Sequence, residues 1–177
     1  MDLTAAHAYE ASMPTAKETN ERPDRLGLDE SASSIATALG KLVPDPVVRR
    51  SLSLSLSTDK DRYEVDEPVE LTVDIANHLP VPVTVETPTR RLWGWTVDGE
   101  LEASDEQVYV SDAPGLLTFR AKERKRITHR WDGRLKRVGD GSTPTRWVEP
   151  DRGVHEIGAF LAIEGNRPTD SVEIRIE

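Results

Sequence analysis

From residue 47 onward, apolar and polar residues alternate. Ser51-Leu52-Ser53-Leu54-Ser55-Leu56-Ser57 has a strict period of two, which puts the leucines on one face of a strand and the serines on the other. Val69, Leu71, Val73 and Ile75 repeat the pattern, with Glu70, Thr72 and Asp74 between them, as in a half-buried antiparallel strand. His78-Leu79-Pro80 breaks the run. Val81, Val83 and Val85 resume its parity, and Pro82 marks an edge or a strand start. Trp93, Trp95 and Val97 form the next inward set, closed by the turn signal Asp98-Gly99.

Residues 100–114 read as irregular, with a short strand at 107–110. Residues 116–121 and 125–131 read as a hairpin joined by Lys122-Glu123-Arg124, with Ile127, His129 and Trp131 pointing one way. A polar connection runs from Arg134 to Gly153. The last pair is 154–163 and 171–176. No helical period occurs within 47–177. The pattern predicts an all-β fold, an immunoglobulin-like antiparallel β-sandwich of about eight strands. A small closed barrel is the alternative.

Residues 1–46 are read separately, as a mostly disordered tail, because they lack enough apolar surface to offset the entropy of ordering. The exception lies near 31–43. There Ile35, Leu39, Leu42 and Val43 make a narrow helical stripe, with Asp29 or Ser31 as a cap and Pro44 and Pro46 as a stop. Isolated helices of this length are marginal, so a transient helix is favoured over a docking peptide.

Composition narrows the function classes. The net charge is −9, which disfavours nucleic acid and anionic membrane surfaces as partners. Arginine outnumbers lysine 17 to 6; with excess Asp and Glu, that balance resembles haloarchaeal proteins, whose carboxylates hold hydration in a salty cytoplasm. The chain has no cysteine, so disulfides, thiolate metal sites and a cysteine nucleophile are excluded. A cysteine-free sandwich suits a reducing compartment. The first residues carry neither a basic nor an apolar signal region, and no apolar run reaches membrane length. A cytoplasmic location is expected.

Candidate chemistry is sparse. His7, His78, His129 and His155 are dispersed, with no metal-ligand spacing. His129 has inward parity and reads as a partly buried, satisfied side chain. Asp59, Asp61, Asp66 and Glu67 resemble a calcium loop only superficially, since Glu64 stands where the loop needs glycine. Gly139-Asp140-Gly141-Ser142-Thr143 lacks the strand-to-helix context of a phosphate cradle. No nucleophile elbow is present. No catalytic residue, metal or cofactor is expected, and the chain reads as a non-enzyme. With nine aromatic residues in all, Trp93 and Trp95 are read as core rather than as a surface patch, and Trp131 as half-buried. Trp147 reads equally as an exposed anchor or as a lid over the sandwich.

Four segments carry a family resemblance. They are Tyr63-Glu64-Val65-Asp66-Glu67-Pro68-Val69-Glu70-Leu71 leading to Asn77, Leu92-Trp93-Gly94-Trp95-Thr96-Val97-Asp98-Gly99, Trp131-Asp132-Gly133, and Asp151-Arg152-Gly153-Val154-His155-Glu156-Ile157. The run from Ser51 to Glu177 resembles the BsuPI-type intracellular proteinase inhibitor domain. Two places depart from it. Ala121-Lys122-Glu123-Arg124 replaces the usual Pro-Gly-Glu turn, and His155 stands where tyrosine is common.

The resemblance implies an Ig-like sandwich that binds a cytoplasmic serine protease, with a subtilisin-like enzyme as the partner class. The contact is expected in a long loop, residues 134–150 or 98–114, because loops on a rigid scaffold carry recognition. Arg134, Arg137, Arg146 and Trp147 are the candidate partner-binding residues, since Arg and Trp anchor interfaces. The alternative is an accessory module whose N-terminal tail recruits a partner.

Overall fold

The computed structural model describes residues 42–106, 110–140 and 142–177. The helix expected near 31–43 and the strand expected at 107–110 lie largely outside them. At the edge of the first, Val43 packs against the core while Leu42 is exposed.

One short helix precedes the strands, and it corrects the expectation that none would occur after residue 47. Helix α1 (Asp45–Ser51) starts behind Pro44, holds Asp45 in its first turn and Arg49 and Arg50 in its last, and buries Val48. That placement of charge suits the helix dipole. The fixed φ of Pro46 suits a first turn.

Twelve strands follow among the described residues. They are β1 (Leu52–Thr58), β2 (Arg62–Tyr63), β3 (Val69–Asn77), β4 (Val83–Thr87), β5 (Trp93–Val97), β6 (Glu100–Leu101), β7 (Gly115–Phe119), β8 (Arg124–Trp131), β9 (Leu135–Arg137), β10 (Arg146–Val148), β11 (Gly153–Leu161) and β12 (Thr169–Ile176). The count exceeds eight because several are two or three residues long.

One sheet has the order β1-β3-β8 and the other β2-β12-β11-β5-β6; β4-β7 and β9-β10 form separate ribbons. All pairs are antiparallel except β12 with β2. The architecture is an immunoglobulin-like antiparallel β-sandwich.

The core follows the period-two positions. Leu52, Leu54 and Leu56 of β1 and Val69, Leu71, Val73 and Ile75 of β3 form one cluster with Trp95 and Val97 of β5, Ile157, Ala159 and Leu161 of β11, and Ile174 and Ile176 of β12. Each aliphatic side chain sealed there is worth about 2 kcal/mol against exposure. Trp131, expected half-buried, is fully enclosed, and its indole Nε1 donates to the Arg134 carbonyl at 2.7 Å.

The expected hairpin of 116–121 with 125–131 does not form. β7 pairs with β4, and β8 pairs with β3. The two pairs follow one another along the chain, β3 leading to β4 and β7 to β8, as two halves of a ribbon broken by a bend. Asn77 holds the bend. It is buried, its Nδ2 donates to the carbonyls of Val81 (3.0 Å) and Arg120 (2.9 Å), and its Oδ1 accepts from Leu79 N (2.9 Å). Asn77 N also donates to the Glu123 carbonyl. One amide side chain therefore satisfies the backbone groups that the bend takes out of the ladder.

The acidic rim of the β1–β2 turn is used structurally. Asp59 accepts from the Tyr63 hydroxyl (2.7 Å) and from Glu70 N (3.0 Å). Burial, with the Asp59 contact, pushes the Tyr63 phenol up to about 12. Glu67 pairs with Lys60, and Asp66 with Arg134. Among the described residues no group of three His, Cys, Asp or Glu is arranged to hold a metal ion, and no helix is long and apolar enough to cross a membrane.

Candidate docking ribbon

The polar connection after Trp131 is an ordered ribbon rather than a slack loop. Its base is fixed first. Gly133 has φ +77°, and a Cβ there would stand 2.7 Å from the Glu67 carbonyl oxygen, so only glycine fits this turn. Asp132 Oδ1 accepts from Arg134 N (3.1 Å), and Arg134 Nε donates to Asp66 Oδ1 (2.8 Å).

β9 and β10 then pair as Leu135↔Val148, Lys136↔Trp147 and Arg137↔Arg146. The 98–114 segment joins them. Lys136 N donates to the Ala103 carbonyl (2.8 Å), Val138 N donates to Asp105 Oδ1 (2.7 Å), and Ser104 bridges Lys136 in parallel. The two loops read from sequence as separate candidates are thus joined at residues 103–105.

The tip is also tied. Asp140 Oδ1 accepts from the backbone N–H groups of Ser142 and Thr143 (both 3.1 Å) and from their hydroxyls (2.6 and 2.7 Å). Those hydroxyls, then the N–H groups, hold the Asp140 carboxyl well below its usual range. A Cβ on Gly139 would meet the Thr143 carbonyl oxygen at 1.7 Å, so the two arms of the tip touch through backbone alone.

The four candidate residues separate on this frame. Opposite residues of an antiparallel pair share a face, so Arg137 and Arg146 lie with Leu135 and Val148, while Trp147 lies with Lys136 on the other face. Arg134 is the tether at the base. Arg137 is held by Glu100, through contacts of 2.5 and 3.1 Å. Arg146 is exposed. Trp147 has 56% of its surface open, and it is not packed down as a lid. The sequence reading missed Val138, which is exposed beside the tip, and Lys136, which pairs with Glu106. Neither carries a motif; each is placed by register alone.

A second concave region lies on the flank where β5 and β8 face each other, lined by Trp93, Gly94, Trp95, Glu102 and His129. His129 is half-buried as expected, but among the described residues its ring is held by other rings rather than by hydrogen bonds. Its ring lies 4.9 Å from that of Trp95 and 6.4 Å from that of Trp93. Trp95 is buried and touches Trp131, whereas Trp93 is half-exposed. Glu102, the carboxylate on this cleft, is engaged by Arg91.

A family model described as a family of unknown function, DUF7974, matches residues 40–177. The chain belongs to the DUF7974 family. The match begins ahead of helix α1 and takes in both sheets and the ribbon. Among curated proteins, none matches the DUF7974 chain.

Solved structures give distant likenesses. A β-glucosidase from Listeria innocua in complex with isofagomine is 14% identical with a TM-score of 0.44, over 71% of this chain and 16% of that one. The CARDB domain of a Pyrococcus furiosus protein in complex with di-metal ions is 16% identical with a TM-score of 0.41, over 71% and 87%. The sporulation control protein Spo0M from Bacillus subtilis is 16% identical with a TM-score of 0.43, over 72% and 49%. The DUF7974 chain therefore spans about a sixth of the glucosidase it matches.

Proposed function

We propose that this chain is a non-enzymatic protein-binding domain that presents the β9–β10 ribbon to its partner, in the manner of an intracellular serine proteinase inhibitor. The observation that carries the reading is Trp147, a large apolar side chain left 56% open on a ribbon that is otherwise tied down. A tryptophan of this kind is a strong interface anchor. The ribbon's own hydrogen bonds reduce the ordering entropy that binding would cost. Lys136, opposite Trp147 on the same face, supplies a polar neighbour to the indole.

The cleft at His129 favours no catalytic reading, because its carboxylate is paired with arginine and the imidazole has no hydrogen-bonded orienting group among the described residues. The partner class is a subtilisin-like protease in a reducing, cytoplasmic setting.

The test is a hydrolysis assay. An intracellular subtilisin incubated with the full chain should cleave a chromogenic peptide more slowly, and Trp147→Ala should relieve the inhibition. Unchanged hydrolysis, with no complex on gel filtration, rejects the reading.

A further inference from the structure

The first sheet treats its two edges differently. At the β1 edge, Leu56 N donates to Asp170 Oδ2 (2.8 Å), a carboxylate carried by β12. That contact caps one N–H in the middle of the edge. At the β8 edge, among the described residues, every backbone partner comes from β3. Eight residues of regular strand are left with one row of N–H and C=O groups unpaired.

The open edge is basic in an acidic protein. β8 itself holds four basic residues, Arg124, Lys125, Arg126 and Arg130, and no acid, while the whole chain carries −9. The outer face of the sheet is graded across its strands. β1 offers Ser53, Ser55 and Ser57, β3 offers Glu70, Thr72 and Asp74, and β8 offers Arg126, Thr128 and Arg130. On the β3 side Asp74 binds Arg126 through two contacts of 3.0 and 2.9 Å. On the other side of β8, among the described residues, the carboxylate at the neighbouring cleft, Glu102, is already engaged by Arg91.

The opposite face of β8 carries Ile127 and His129, both half-buried, beside the cleft of Trp93 and Trp95. An added strand would set alternate side chains on these two faces.

We infer that the β8 edge is a strand-addition site for an extended segment of a partner protein in which acidic residues alternate with apolar ones. Its backbone would complete the β8 ladder, its carboxylates would meet Arg124 and Arg130, and its apolar side chains would enter the cleft at His129 and Trp93. Main-chain bonds supply affinity in this mode and the alternate pockets supply selectivity.

Charge on an edge also serves to repel other edges. β8, however, lacks the other guards: its register runs unbroken from Val69↔Trp131 to Ala76↔Arg124, with no proline and no bulge. A second copy is disfavoured, since antiparallel self-pairing sets arginine against arginine. The site is independent of the ribbon.

The test uses the full chain and a blocked octapeptide of alternating glutamate and valine, followed by tryptophan fluorescence and by amide exchange of β8. The peptide should bind and protect the outward β8 amides. Arg124→Glu with Arg130→Glu should weaken it by on the order of tenfold, and added salt should weaken it too. Trp147→Ala should leave it unchanged.

The same peptide N-methylated on alternate amides should not bind. Equal binding by the N-methylated peptide, or by a lysine–valine repeat, overturns strand addition. Loss of binding in Trp147→Ala moves the contact to the ribbon and overturns it as well. β8 amides already protected in a dimer of the chain alone would assign the edge to a second copy, with the same consequence.

Discussion

His155 Nδ1 lies 2.6 Å from Asp98 Oδ2, and the same ring places Nε2 at 2.6 Å from the Asp151 carbonyl. Both partners are acceptors, and a neutral imidazole has one N–H for two of them. The charged ring serves both. Asp98 completes the clamp by accepting from Glu156 N at 2.9 Å, so the turn after β5 is locked to β11.

Burial alone would lower the His155 pKa, but the Asp151 carbonyl and the Asp98 carboxylate outweigh it, and the pKa lies above its ordinary value. A raised pKa means that the folded protein binds the proton more tightly than the unfolded chain does. The contribution is complete below the unfolded value of about 6.5 and is lost as pH rises through the folded value. Urea midpoints should therefore fall as the pH is raised from about 6.5 through the raised folded-state value, and His155→Gln should flatten that slope. A wild-type midpoint independent of pH across this window would refute the clamp.

Asn77→Ala should destabilise the fold by about 2–4 kcal/mol. It strands the Val81 and Arg120 carbonyls and Leu79 N in a partly buried corner. Asn77→Asp should cost at least as much, because a carboxylate would face two carbonyl oxygens. Thermal or urea unfolding measures both. A loss below about 0.5 kcal/mol would mean that the bend is held by something else.

Trp147→Ala should change the unfolding midpoint little, since the side chain is more than half open, yet weaken partner binding by more than about tenfold. Trp131→Ala should do the reverse and cost about 3–5 kcal/mol of stability. Paired denaturation and binding measurements on the two variants separate an anchor from a core residue.

Gly139→Ala should disturb only the ribbon tip. Its methyl would collide with the Thr143 backbone carbonyl, which cannot rotate away as a side chain would. Amide chemical shifts should change across residues 138–148 and stay constant in β3 and β11, and partner binding should fall. Shifts spread through both sheets would show that the tip is coupled to the core.

The alternation of Leu52, Leu54 and Leu56, and of Val69, Leu71, Val73 and Ile75, was enough by itself to specify which side chains are sealed between two sheets, because a strand's side-chain period is local and burial selects one parity. The turn at Asp98-Gly99 and the glycine turn at Gly133 are equally local. Pairing is not. That β7 joins β4 and not β8, that Asn77 holds a corner, that Trp131 is enclosed, and that residues 103–105 dock on β9 depend on contacts between segments far apart in the chain, which no short window of sequence encodes. The exposure of Trp147 belongs to the same class: a tryptophan has the same composition whether it fills a core or stands on a ribbon, and only the register Lys136↔Trp147 turns it outward.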